Sequence, residues 1–563
     1  MLLPKININR IPFSRYGSYV AVSDEKSRLI IYNARLRFTM GSVFEVLFLK
    51  DGNVLEYTAK ATPQFCEITT NCGTVIFYIK DDNTIVFQSE GVDIYFRHLV
   101  GKGYGFQFSE NEYRTINVNQ CLYSLFHICQ GEAKLGGNIE DDMSDETNRN
   151  QDFFVRFVNG KSLFSLTMDN TEPKSITEEI NTQEDLKLIN KEWESFVEKV
   201  SLNYDIKDNY NLTSWYNIWS CFVRAKDVYK YDVVLMSKKF MSSVWSWDHC
   251  FNALALAKVD FKVAYEQFLA PFVLQGENGV LPDMWNPNSE TIYGVTKPPV
   301  HGWCFSKLMD IGTFSNDDLK RVYGYLEKWT NWWFEYRDSD NDGIPEYPQG
   351  CDCGWDNSTL FDKRFFVEAP DLSAYLILQM KCLAKISKKL IDTEKENYWN
   401  DRADDLMKKL ISHSWDGERF LAKQSRTHLC EKKPTSLLSL MPLILGNNLD
   451  KDILEKSVKI LEKDFLTEHG FATESYKSEK YESDGYWRGP IWAPVTYMLI
   501  DGLRNASYYQ LAETVARKFC NMAKNKARGN YENYDALTGE GLRAPGYTWT
   551  AAVYLLLSDE YGD

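Results

Sequence analysis

Nothing in this sequence suits a lipid bilayer or a polyanion. No uninterrupted apolar stretch is long enough to span a membrane, and the opening MLLPKININR lacks the apolar run of a signal peptide. Positive charge is in deficit: 64 basic side chains stand against 79 acidic ones, a net charge of -15 that repels a phosphate backbone and anionic lipid alike. Nucleic acid and membrane surfaces are thereby excluded as partners, and the expectation is a cytoplasmic protein, monomer or homo-oligomer. Cysteine patterns of metal sites are also missing. The twelve cysteines are scattered, Cys351 and Cys353 are one residue apart where a zinc knuckle needs two, and His249-Cys250 has no second ligand pair nearby. No metal held by sulfur is expected.

What is present is enough apolar material for more than one core. With 563 residues, 44% hydrophobic and 14% aromatic, the chain should divide into at least two domains. Between Lys5 and about Asp169, runs such as SRLIIYNARLRF, SVFEVLFLK, TVIFYIK, TIVFQS, VDIYFRHLV and DFFVRFV alternate apolar with polar residues and stop at Asp, Asn or Gly turns. This pattern predicts an all-β sandwich over 1–175. The charged stretch from Ile176 to Val200 reads as a linker helix within 176–204.

After Asp208 the apolar period becomes helical, with twelve stretches starting near Leu212, Ser246, Phe261, Val300, Asn316, Pro370, Asn397, Pro434, Lys451, Arg488, Ala506 and Gly546. Short and long connections alternate, so antiparallel neighbours would put every long loop at one end. That geometry predicts a toroid of six helical hairpins over 205–563. The even-numbered helices are apolar around more of their circumference and should form its inner ring.

Those long loops are rich in Trp, Tyr, Asp, Glu and Arg, in SVWSWDHCFNALAL, NGVLPDMW, TKPPVHGW, GWDNSTLF, YWRGPIWAP and YENYDALTGEG. Aromatic faces stack on sugar rings while carboxylates and Arg bind hydroxyls, so the set reads as a carbohydrate site. Glycoside hydrolysis needs one carboxyl that donates a proton and one that activates water or attacks carbon. Asp356 suits the first role, with Trp355 as an apolar neighbour and Asn357 and Ser358 offering hydrogen bonds. For the second we select Glu532, set between Tyr531 and Tyr534, whose hydroxyls would orient it; Glu474 and Asp484 are next in line.

The ordered set SWDHCFNALAL, KPPVHGW, DGIPEYPQGCDCGWDNS, YWRGPIW and ENYDALTGEG resembles the catalytic domain of glycoside hydrolase family 63, including its mannosylglycerate hydrolase-like members, and more distantly the trehalases. The resemblance covers roughly residues 205 to 563. It implies an inverting α-glycosidase on an (α/α)6 toroid, with Asp356 as acid and Glu532 as base. It also implies a sugar subsite lined by Trp247, Asp248, Trp355, Trp487, Arg488 and Gly489. Hydrolysis so read requires no cofactor, and the expected partner is a small carbohydrate.

Asp338, Asp340, Asp342 and Gly343 follow the opening of a calcium-binding EF-hand loop, with Glu346 as a further ligand, yet position twelve is Gln349 where that motif needs Glu. A structural calcium at the Asp338–Asp342 loop is the one ion this pattern admits. A phosphorylase would need a cluster of cations, and beyond Arg488 and Arg543 the loops have few. A non-catalytic sugar-binding protein would be expected to lose a carboxylate, and both are present. Lys297 and Arg543 are the cations available to an acidic aglycone. In so acidic a protein they are expected to be paired internally, which favours a neutral aglycone and an exo-acting α-glucosidase. The alternatives are a mannosyl- or glucosylglycerate hydrolase or a trehalase-like enzyme.

Overall fold

The protein is described from a computed structural model covering residues 3–36, 41–99, 103–135, 153–156, 161–176, 179–286, 291–362, 364–527 and 529–562. Parts of the expected strand runs, at Arg37–Phe38, Val100, Asp152 and Phe157–Val158, lie outside these residues, as do Thr177 and Glu178 of the expected linker helix. The chain forms two compact units, Met1–Ser243 with Asn286–Ser289, and Val244–Trp285 with Glu290–Asp563.

Among the described residues, the first unit contains antiparallel sheets of seven and eight strands. One runs in the order Val20–Asp24, Leu29–Asn33, Ser42–Lys50, Asp93–His98, Phe153–Arg156 and Glu132–Leu135, with Asn53–Val54 paired to Ser42–Lys50. The other runs Gly103–Gln107, Glu112–Asn117, Leu122–Gln130, Lys161–Asp169, Thr84–Glu90, Thr74–Ile79, Cys66–Thr69 and Thr58–Ala61. Alternation in sequence becomes alternation of faces, and the inward aromatic residues of both sheets interlock. Phe96 of the first sheet lies edge-on to Phe87 and Phe126 of the second, at centroid distances of 5.4 and 5.2 Å.

The helices α1 (Thr182–Ser201) and α2 (Asn209–Cys221) belong to this unit. Trp193 of α1 and Leu212, Tyr216 and Trp219 of α2 join the β core. The boundary therefore differs from the expected one at 205. The segment read as a linker carries a core tryptophan, and the first helix assigned to the toroid packs its apolar face in the sandwich unit.

The second unit is a toroid of the (α/α)6 type, with six inner segments and, among its described residues, five outer helices. Its inner ring is α3 (His249–Leu256), α5 (His301–Ile311), α7 (Pro370–Lys389), the 3-10 segment Leu437–Asn448, α10 (Ala493–Asn505) and α12 (Thr548–Tyr561), each packed on the next and α12 closing on α3. Outside them lie α4 (Phe261–Leu269), α6 (Asn316–Tyr336), α8 (Thr393–Ser414), α9 (Lys451–Asp464) and α11 (Tyr509–Asn521). Burial follows the rings. From Thr548 to Ser558 every residue of α12 is buried, whereas α8 buries only Trp399, Ala403, Leu406, Leu410 and Ser414, mostly on one helical stripe. The eighth helix differs from expectation because Pro442 and the left-handed Gly446 interrupt the α ladder. Among the described residues no helix is long and apolar enough to cross a membrane.

Candidate active site

The long connections preceding the inner helices bring the selected carboxyls together. Asp356 follows a tight 3-10 turn at Gly350–Cys353, which ends at Gly354 with φ 75°. A Cβ on Gly354 would stand 2.9 Å from the Trp247 ring, so the absent side chain lets this turn lie against the indole. Asn357 and Ser358 do not serve Asp356 as expected. Asn357 accepts from Trp487 N at 3.0 Å and donates to Gly485 O at 2.9 Å, while Ser358 Oγ meets Ser436 Oγ at 2.9 Å. Both tie the Asp356 loop to neighbouring loops.

The close partner of Asp356 is Lys297, whose Nζ lies 3.5 Å from Oδ1. The same ammonium is 3.3 Å from Asp283 Oδ1 and donates to Cys351 O at 3.0 Å. Burial disfavours the charge on Lys297, but Asp283, Asp356 and Asp248 outweigh it and raise the pKa. Asp248, at the N-terminus of α3, and Asp283, beside the short ladder of Val244–Trp245 with Met284–Trp285, are themselves pushed up by burial, with Lys297 opposing. Asp356 is a third exposed.

Glu532 sits at the start of a hairpin in which Asn533–Tyr534 pairs with Gly541–Leu542. Its N–H donates to Ala544 O at 2.9 Å, and Tyr534 exchanges backbone bonds with Ile491 at 2.7 and 3.0 Å. The carboxyl is thus fixed by backbone on both sides. Burial pushes its pKa up to about 7, against hydrogen bonding from Tyr486 and the charge of Arg543, and the nearby charge of Asp356 raises it further. The hydroxyls that meet Glu532 come from Tyr486 and Tyr547, not from the expected Tyr531 and Tyr534. Tyr534 is instead edge-on to Phe519 at 6.0 Å. The reserve candidates stand apart: Glu474 is buried and accepts from Thr359 Oγ1 at 2.6 Å, and Asp484 is an exposed partner of Arg543 at 3.1 Å.

Tryptophans form the adjoining wall. Trp355, Trp487 and Trp492 stack in sequence at 4.8 and 3.8 Å, with Trp549 edge-on to Trp492 and Trp247 tilted against Trp487 at 6.3 Å. Among the described residues Asp248 Oδ2 and the Nε1 atoms of Trp355, Trp487 and Trp549 are buried without a hydrogen-bond partner. Such groups are costly unless a polar ligand meets them, and sugar hydroxyls have the required chemistry. Arg488 contributes differently from expectation: its guanidinium holds Asp362 at 2.6 Å and Asn357 O at 2.9 Å, clamping the Asp356 loop. Gly489 packs by backbone against Thr473 and Glu482, where a Cβ would meet Glu482 O at 2.4 Å.

Nothing in the sequence marks Tyr486, Tyr547 or Asp283 as a partner of the two carboxyls. Tyr486 and Asp283 stand in motifs already singled out and Tyr547 at the start of the last helix, but side chains converge from separate loops, which spacing along the chain does not reveal. At the acidic turn, Asp338 accepts from Asp342 N and Gly343 N at 3.1 and 3.0 Å, and Asp340 from Arg426 N at 2.8 Å. Gln349 is turned to Cys351 N and Asp352, away from any ion-binding role.

Fold and site together define a glycoside hydrolase of the (α/α)6 class. Residues 241–550 match the family described as mannosylglycerate hydrolase MGH1-like glycoside hydrolase domain, and the chain belongs to that family. Relatives include a mannosylglycerate hydrolase, MGH1, of Selaginella moellendorffii, 21% identical over 55% of this chain and 79% of its own. A glucosylglycerate hydrolase of Mycolicibacterium hassiacum is 22% identical over 55% and 91%. Among solved structures, a bacterial glucoamylase complexed with acarbose covers 99% of this chain and 95% of its own at a TM-score of 0.65 and 12% identity. The family 63 mannosylglycerate hydrolase of Thermus thermophilus, in complex with Tris and D-glycerate, covers 62% and 98% at 0.52 and 19%. At these identities the structural likeness speaks for the fold alone.

Proposed function

We propose that the protein is an inverting, exo-acting α-glycosidase that releases one sugar, glucose in the first instance, from a small α-linked glycoside. The observation that carries this reading is the meeting of Asp356 and a partly buried Glu532, from separate loops, beside a tryptophan wall with unpartnered polar atoms. Asp356 donates its proton to the glycosidic oxygen as the bond to the anomeric carbon breaks. Glu532 takes a proton from a water that attacks the same carbon from the opposite face, held in line by the hydroxyls of Tyr486 and Tyr547. Inversion calls for a separation of about 6.5 to 9.5 Å between the two carboxyls.

The aglycone is proposed to be neutral. Lys297 is already shared among carboxylates and Arg543 pairs with Asp484, so neither offers an unspent charge to a second acid. A glycosylglycerate substrate is the second reading, favoured by the names of the relatives. The test is release of free sugar from a panel of α-linked disaccharides, mannosylglycerate and glucosylglycerate. Turnover of the disaccharides supports the first reading, turnover confined to the glycerates supports the second, and turnover of none overturns both.

A further inference from the structure

Away from the tryptophan wall, four side chains from four separate segments converge. Asp342 belongs to the acidic turn after α6, Glu368 to the short strand Val367–Glu368, His413 to the last turn of α8, and His428 to the loop after Lys423–Gln424. One ligand atom from each lies within 4.8 Å of the others. Glu368 Oε2 is 2.7 Å from His413 Nε2 and 3.9 Å from His428 Nε2.

A second observation points to a missing ligand. Glu368 is buried; among the described residues its Oε1 has no hydrogen-bond partner, and its Oε2 meets only the two imidazoles. A buried carboxylate in that state is expensive unless a cation completes it. We propose that Asp342, Glu368, His413 and His428 bind one divalent transition-metal ion of the zinc type.

The donor set decides the class. Two imidazoles with two carboxylates match a closed tetrahedral zinc site, whereas calcium and magnesium take shells of oxygen. Bonds of about 2.0 to 2.2 Å place tetrahedral ligand atoms roughly 3.4 Å apart. His413 and Glu368 therefore part slightly to admit the ion while His428 moves inward.

The site's location gives it a task. Tyr347 and Val367 exchange backbone hydrogen bonds at 2.9 and 2.8 Å, closing the base of the loop that carries Asp356. Asp342 and Glu368 lie just outside the two ends of that loop, so one ion bound to both locks its base. Binding stands whether or not Asp356 is the catalytic acid.

The experiment uses the full chain, stripped with a chelator and titrated separately with Zn2+ and Ca2+. Metal per chain, Tm and hydrogen exchange across 343–367 are followed. One Zn2+ per chain is expected, with a Tm increase of several degrees and slower exchange across 343–367. His428 is 45% exposed, so His428→Ala should fold; it should weaken Zn2+ binding by about 100-fold or more. Failure to bind stoichiometric Zn2+ overturns the proposal. So does binding untouched by both His428→Ala and His413→Gln. A Tm increase produced by Ca2+ alone and lost in Asp338→Asn also overturns it, by assigning the ion to the acidic turn.

Discussion

Lys297 Nζ lies 3.5 Å from Asp356 Oδ1 and 3.3 Å from Asp283 Oδ1, so a single buried ammonium anchors the proposed acid to a second carboxylate. Lys297→Met keeps much of the side chain's bulk and deletes that charge. Asp283 and Asp248 then remain buried without a counter-ion, and the loss of stability should be about 3–5 kcal/mol. Urea unfolding measures it. A variant as stable as the parent would show that the ammonium is not needed to hold the carboxyls.

Asp356→Asn preserves shape and cannot donate a proton. Hydrolysis of glycosides with poor leaving groups should fall by at least about 100-fold, while activated aryl glycosides suffer less. Glu532→Gln should abolish both, with small anions rescuing turnover of a suitable glycosyl fluoride. The reverse pattern would exchange the two roles.

The pH dependence follows from Glu532. As the proposed base it must be ionised, and burial pushes its pKa up to about 7. Activity as kcat/KM should therefore rise with pH through about 7 in the free enzyme. An acidic limb near 4.5 instead would mean that burial does not act on the essential base.

The same group makes a stability prediction. Below its ordinary 4.5 the Glu532 carboxyl is protonated in both folded and unfolded chains, and between 4.5 and about 7 only the unfolded chain releases the proton. Its contribution thus declines as pH rises through that window and reaches its full deficit above about 7. Glu532→Gln should be more stable than the parent at pH 8, by on the order of 2–3 kcal/mol, with no difference at pH 4. Thermal unfolding at the two pH values checks this, and a variant less stable at pH 8 would contradict it.

Gly354→Ala tests how the wall is assembled. The left-handed φ of 75° and the 2.9 Å approach to Trp247 leave no room for a methyl group. We expect a loss of about 1–3 kcal/mol together with lower kcat/KM as Trp355 and Asp356 shift. An unchanged enzyme would show that the turn is more yielding than its packing indicates.

Much of this architecture was legible in the chain. The switch from period two to helical period marked the sandwich and the toroid, because each period sets which face is buried, and the alternation of loop lengths placed the site at one end. Less legible was the border between the units, since α2 has the apolar spacing of a toroid helix and packs with the β core. The motifs carried Asp356, Glu532 and the tryptophans. Their partners are not their sequence neighbours: Asn357 and Ser358 bond to other loops rather than to Asp356, and Glu532 meets Tyr486 and Tyr547 rather than Tyr531 and Tyr534. Arg488 spends its charge on Asp362.

The choice of aglycone can be measured directly. With Lys297 and Arg543 already paired, kcat/KM for α-linked glucose disaccharides should equal or exceed that for glucosylglycerate and mannosylglycerate, at low and high salt alike. A clear glycerate preference, reduced selectively in Lys297→Ala or Arg543→Ala, would overturn the neutral assignment.

The most direct test of an acid and a base working on opposite faces of one sugar is the anomer released first. Proton NMR recorded during early turnover of an α-glycoside, before mutarotation mixes the products, should show the β-anomer appearing first. Initial release of the α-anomer would contradict inversion and require a covalent intermediate on one of the two carboxyls.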